Sequence, residues 1–182
     1  MHPLHNLANY KIILGSNSPR RKQLLEQIGI NFTVDVPTGV EESYPHDTPA
    51  EEIPVFLSKL KAKAYTDTHA MQHTLLITAD TVVIAGSKVL GKPHTPDEAQ
   101  HMLQTLSGNT HIVTTGVTIT TEQKTISFGV STTVQFATLT PDEINYYIEK
   151  YRPFDKAGAY GIQEWIGCIG VERINGSFYN VM

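Results

Sequence analysis

The sequence has a single cysteine, Cys168, in 182 residues. An internal disulfide is therefore excluded, and a reducing compartment is expected. No apolar run is long enough to span a bilayer; the longest candidate, Leu75 to Ala85, is interrupted by Asp80. The first ten residues are polar and lack the apolar stretch of a secretory leader. These absences together read as a cytoplasmic protein. There is no cationic excess either, since the formal net charge is −4. A general nucleic-acid or membrane surface is thus not expected, and any recognition of phosphate has to come from a local cluster. Also missing are a Walker loop, a Gly-x-Gly-x-x-Gly turn, a cysteine pair and a Gly-x-Ser-x-Gly elbow. The eight histidines show no metal-ligand spacing: His69 and His73 are four apart, but no glutamate adjoins His69. Ser16 and Ser18 have no basic partner nearby in sequence, so a serine nucleophile is weakly supported.

What is present is an ordinary globular composition, 40% hydrophobic and 18% charged, at a length that suits one domain of ample core, here taken as 1–182 with two lobes. The most informative stretch is Ile12-Ile13-Leu14-Gly15-Ser16-Asn17-Ser18-Pro19-Arg20-Arg21. An apolar run predicts a buried strand, a small-residue turn follows, and Ser18 with Pro19 marks a helix start that Gly29 ends. Such a turn aims backbone N–H groups and the positive end of a helix at whatever lies above the strand. Arg20 and Arg21 fall in the first helical turn, where the dipole disfavours cations, so the pair suits an anion such as phosphate. A solvated arginine pair on a capped helix is the plainer account.

A loop with Glu41-Glu42 comes next, which is either solvated or part of a metal site. Thr48-Pro49-Ala50-Glu51 predicts a capping box and a helix through Leu57, Leu60, Lys61 and Ala64, with Pro54 forcing a late start or a kink. Lys61, at the edge of that apolar stripe, either snorkels or reaches into a cleft. Two apolar runs flank Asp80 between Leu75 and Ile84. A charge inside a buried strand is costly unless it is paired, metal-bound or protonated, so Asp80 belongs either at an opening or in a local turn. Gly86 predicts a hairpin, and Thr95 and Thr140 open two more capped helices, the first ending at Gly108. His111 to Thr120 and Thr125 to Phe136 predict two long strands. Asp155 to Gln163 is Gly-rich and reads as an irregular loop, and Arg173 to Ser177 as a hairpin between two final strands.

Arg20, Arg21, Lys61, Lys92 and Lys156 are cations at element ends in an acidic chain. Asp80, with Glu41 or Glu42, offers carboxylates for a hard divalent cation. Cations in several turns plus carboxylates make the chemistry of a triphosphate with Mg²⁺ or Mn²⁺, and with no covalent nucleophile in view, direct attack of water on phosphorus is favoured.

Gly15-Ser16-x-Ser18-Pro19-Arg20-Arg21, Ala79-Asp80-Thr81-Val82, Leu90-Gly91-Lys92-Pro93, Leu106-Ser107-Gly108 and Asp155-Lys156-Ala157-Gly158-Ala159-Tyr160-Gly161-Ile162-Gln163, in this order, resemble the Maf family of nucleoside-triphosphate pyrophosphatases. The resemblance implies an α/β fold of the Maf / ITPase-like type, with an extended mixed β-sheet, flanking helices and two lobes around a deep cleft. It implies hydrolysis of a nucleoside triphosphate to the monophosphate and pyrophosphate with a divalent metal cation. By the same resemblance Asp80 is the proton acceptor and a metal ligand with Glu42. Ser16, Arg21, Glu42, Lys61 and Lys92 match family positions that bind the phosphates or support the metal, while Lys156 is counted with the phosphate cations on its charge and place in the chain. Arg20, Thr81 and Gln163 occupy the positions that choose the base, and this set is similar to the branch acting on dTTP and UTP, with modified pyrimidine nucleotides as further candidates. The N7-methyl-GTP branch carries Trp, Gln and Glu there instead. A glutamine amide offers a donor and an acceptor, which suits the O4 and N3–H edge of thymine or uracil. A nucleotide-sensing regulator of septum formation that binds without turnover is the competing expectation, and a homodimer is among the arrangements expected. Two departures stand out: Gly15 replaces the family's usual alanine, which is expected to be tolerated, and the sequence ends at Asn180-Val181-Met182 where the family usually continues through Gly-Leu-Pro into a closing helix.

Overall fold

A computed structural model describes residues 3–182. One of its two longest strands is β3 (Thr74–Ala85), which carries Asp80 near its middle. Thr, Val, Ile and Leu dominate it, as a strand covered on both faces requires. The remaining strands are β1 (Lys11–Leu14), β2 (Thr33–Val34), β4 (Lys88–Leu90), β5 (Thr110–Thr120), β6 (Thr125–Phe136) and β7 (Val171–Asn175). They form one sheet in the order β2-β1-β3-β5-β6-β7, with β4 paired to β3 off that path. β1 is parallel to both β2 and β3, while β4 is antiparallel to β3 and β7 to β6, so the sheet is mixed as expected. The helices are α1 (Pro19–Gln27), α2 (Ile53–Thr66), α3 (Pro96–Leu106), α4 (Pro141–Tyr151), α5 (Trp165–Gly170) and α6 (Phe178–Val181).

The chain divides into two compact units, one of residues 3–48, 52–80 and 116–129, the other of 49–51, 81–115 and 130–182. The boundary on β3 falls between Asp80 and Thr81. The first unit is centred on Ile13, Leu76, Ala62 and Tyr65, which bring β1, β3 and α2 together with Met71 against them. The second has the larger core, built from Val83, Leu103, Leu106, Val113, Phe136, Ile144 and Tyr147 among others. Among the described residues no helix is long and apolar enough to cross a membrane.

The capping signals had three different outcomes. Thr140 and Glu143 form the full reciprocal box of α4. Thr95 accepts from Glu98 N at α3, but the return arm of Glu98 goes to His94 N instead. The box expected at Thr48 does not form: α2 begins at Ile53, with Pro54 in its first turn. A helix opened at Pro49 would have placed Pro54 inside it, where the missing N–H and the ring clash cost about 3 kcal/mol. The hairpin expected after Arg173 is also replaced, since β7 ends at Asn175 and α6 follows Gly176, whose φ is +131°. Tertiary bonds decide this: Asn180 Nδ2 donates to Val113 O (3.0 Å) and Thr132 Oγ1 (2.9 Å), and Ser177 N donates to the same Thr132 oxygen. α5 lies in a segment for which the sequence pattern predicts no helix.

Candidate active site

In the first unit the turn between β1 and α1 is built as its residues suggest. Ser18 is the N-cap and Pro19 the first helical residue, but the hydroxyl of Ser18 makes no capping bond. The buried Ser16 serves the turn instead, its Oγ accepting from Ser18 N at 3.3 Å and from Arg21 Nη1 at 3.1 Å. The same Arg21 nitrogen donates to Ala79 O at 2.7 Å, so the guanidinium bridges the β1–α1 turn to the residue before Asp80. β1 and β3 run parallel here, with Leu14 opposite Ile77 and Gly15 N donating to Ile77 O. Gly15 is pressed close: a Cβ on it would stand 2.9 Å from Thr78 Cγ2, on a side chain that Ser58 O holds through Oγ1. Alanine at position 15 therefore requires Thr78 to give way. Burial pushes the Arg21 guanidinium below its ordinary pKa; Asp80 opposes this, Arg20 adds to it, and Glu42 opposes it. Arg21 stays charged at any ordinary pH. The first turn of α1 has no acid of its own, so the carboxylates that act on Arg21 are Asp80 on β3 and Glu42.

Asp80 is not in a local turn. It lies on a regular strand, its side chain 14% exposed, and its Oδ1 accepts from Lys61 Nζ at 2.6 Å. Lys61 comes from α2, four residues after the buried Leu57, and is 13% exposed. Its ammonium also stands 3.0 Å from Glu42 Oε1, whose side chain is 55% exposed. Lys61 thus holds two carboxylates together, and of the Glu41-Glu42 pair Glu42 is the one that faces it. Asp80 and Glu42 are hard oxygen donors of the kind a Mg²⁺-type ion takes one or two of, completing its shell with water and phosphate oxygens. The point between them is held by the Lys61 ammonium, which such an ion would have to displace or share. Among the described residues no group of three or more His, Cys, Asp or Glu is placed to hold a metal by itself.

The second unit carries Thr81, Lys92, Lys156 and Gln163. Thr81 Oγ1 shares a 2.9 Å hydrogen bond with Thr115 Oγ1, which donates in turn to Asn180 O. Lys92 is exposed just past β4, and its loop is tied to that of Lys156 by Gly158 N donating to Gly91 O at 3.0 Å. Gly158 has a φ of +67°, and a Cβ there would press on Val83 at 2.9 Å, so glycine is required on both counts. Lys156 is buried; its Nζ lies 2.8 Å from Asp155 Oδ1 and 3.1 Å from Glu164 Oε1. Gln163 is exposed on the turn before α5. Glu164 and Tyr147 are functional candidates that the motifs do not mark; the visible signal for Glu164 is an acid between Gln163 and the apolar Trp165 and Ile166.

A profile described as "Maf-like protein" matches residues 11–182. The chain belongs to the Maf family. Maf-family relatives named dTTP/UTP pyrophosphatase include one from Porphyromonas gingivalis, 53% identical over 180 residues, covering 98% of this chain and 90% of the relative. One from Parabacteroides distasonis is 54% identical over 179 residues, covering 98% and 92%. One from Cytophaga hutchinsonii is 51% identical over 179 residues, covering 98% and 81%.

Proposed function

We propose that this Maf protein hydrolyses dTTP and UTP to the nucleoside monophosphate and pyrophosphate, with Asp80 as the base. The observation that carries the reading is the cluster around Asp80. A carboxylate is held by Lys61 on the strand next to the turn that Arg21 bridges from the start of α1. The relatives' names point to the same substrates.

In this reading a water oxygen bonds to phosphorus as its proton passes to Asp80, and the bond from that phosphorus to the bridging oxygen breaks. Pyrophosphate leaves with the bonding electrons. Lys61 donates to Asp80 Oδ1 and fixes the carboxylate that receives the proton. Ser16 and Arg21 bind phosphate oxygens on the first unit, with Lys92 a further phosphate cation. Asp80 and Glu42 hold a divalent cation, which supplies charge neutralisation on the triphosphate when bound. Arg20, Thr81 and Gln163 select the base. A protein of this kind has a nucleotide pool as its substrate and works in the cytoplasm.

The experiment is pyrophosphate release across a panel of nucleoside triphosphates with Mg²⁺, run in ¹⁸O-labelled water. Release confined largely to dTTP and UTP, with label in the monophosphate, supports attack at the α-phosphorus. Tight nucleotide binding without release makes the chain a sensor.

A further inference from the structure

Glu164 belongs to a closed network that no functional role above requires. Its Oε2 accepts from the hydroxyl of Tyr147, a side chain with no solvent exposure, and its Oε1 faces Lys156 Nζ at 3.1 Å. The Tyr147 oxygen accepts in turn from Gly161 N at 3.0 Å. Two backbone bonds complete the loop, Glu164 N to Gly161 O (3.0 Å) and Gly167 N to Glu164 O (2.9 Å). The turn that carries Gln163 is thereby pinned on both sides of that residue, to α4 through Tyr147 and to the start of the Gly-rich loop through Lys156. Burial, and then the bond to Glu164, push the Tyr147 hydroxyl well above the ordinary tyrosine range, so it remains a donor.

Gly161 is what lets the two side chains fold back together. A Cβ on it would stand 2.9 Å from Glu164 Cδ and 3.1 Å from Gln163 Nε2. The Gln163 amide therefore packs beside the Glu164 carboxylate over one bare glycine. Lys156 matters here as well: buried and already neutralised by Asp155 and Glu164, it serves this turn.

We propose that Glu164, anchored by Tyr147 and Lys156, is a positioning residue for base selection: it fixes the turn so that Gln163 presents its amide to the pyrimidine edge in one orientation. This rests on the pyrimidine-triphosphate reading above. A held amide pairs with the acceptor–donor edge of thymine or uracil and is mismatched to cytosine, whose edge has the donor and acceptor exchanged. An amide free to rotate meets either edge, and selectivity falls.

The test compares kcat and KM for dTTP and dCTP in the whole protein and in Glu164→Ala, Glu164→Gln, Tyr147→Phe and Gln163→Ala. Glu164→Ala lowers the dTTP-to-dCTP ratio of kcat/KM about tenfold, through KM for dTTP, with kcat at saturation little changed. Glu164→Gln, which still accepts from Tyr147, recovers most of the ratio. If Glu164→Ala does not fold, Tyr147→Phe removes the same anchor with less loss of volume and lowers the ratio in the same direction. A ratio unchanged in Glu164→Ala and Tyr147→Phe, but lost in Gln163→Ala, overturns this inference and leaves the substrate reading intact. An equal fall for both nucleotides assigns Glu164 a structural role and overturns it too. A wild-type protein that releases no pyrophosphate from dTTP or UTP removes both.

Discussion

Lys61 Nζ lies 2.6 Å from Asp80 Oδ1, joining α2 to the middle of β3 through side chains that are both mostly shielded from water. Removing the ammonium leaves Asp80 and Glu42 as neighbouring like charges. Lys61→Met should lower stability by about 1–3 kcal/mol, less than a fully buried pair would cost because Glu42 is half in solvent. Adding Glu42→Gln to Lys61→Met should restore part of that loss. Urea unfolding of the single and double variants measures both effects. Equal stability of Lys61→Met and wild type would mean that the ion pair contributes nothing net.

The metal expectation has its own readout. Chelation with EDTA should abolish pyrophosphate release, and added Mg²⁺ or Mn²⁺ should restore it. In Glu42→Gln the Mg²⁺ concentration for half-maximal rate should rise, because one of two charged oxygen donors has become neutral. An unchanged Mg²⁺ requirement in that variant would take Glu42 out of the metal site.

His111 makes the second unit sensitive to acid. It is buried on β5, with Nε2 sharing a 2.7 Å hydrogen bond with Tyr160 OH, and Nδ1 has no partner among the described residues. Burial pushes its pKa down from 6.5 to about 4, so folding favours the neutral ring. The stability this gives is fully present above the unfolded value of 6.5 and is lost as pH falls through the folded value near 4. The loss from this group approaches about 3 kcal/mol at the acid end. Chemical denaturation from pH 7 to 4 should show that extra slope in wild type and not in His111→Gln, a variant that is itself less stable at pH 7.

Gly116 lies on β5 where α2 begins. A Cβ there would fall 2.2 Å from both Pro54 C and Val55 N, backbone atoms that cannot turn aside. Gly116→Ala should therefore displace the start of α2, the helix that carries Lys61, and cost about 3 kcal/mol or more. Thermal melting checks this, and a Tm unchanged within a degree or two would show that the helix start yields freely.

Much of this was legible in the chain. The β1–α1 turn announces itself because Ser18, Pro19 and Gly29 are local signals, and α3, α4, β5 and β6 follow from period and caps. Asp80 is conspicuous as the one charge in an apolar strand, which demanded a partner, though the sequence could not say that the partner is Lys61, nineteen residues earlier. The capping box at Thr48 lost to a local signal, Pro54, through the late helix start expected of it. The other losses came where distant contacts override local preference: the final hairpin lost to the bonds that Asn180 makes with Val113 and Thr132. The support beneath Gln163 was illegible for the same reason, since Tyr147 lies on another helix and only packing brings it to Glu164.

The central claim is that Asp80 takes the proton from the attacking water. The direct measurement is release of pyrophosphate from dTTP and UTP by wild type and Asp80→Asn, with the melting temperature of each recorded alongside. Asparagine keeps an acceptor for Lys61 but cannot take a proton. The account predicts an intact fold and a loss of turnover of about 10²-fold or more; turnover near the wild-type rate in a folded Asp80→Asn would contradict it.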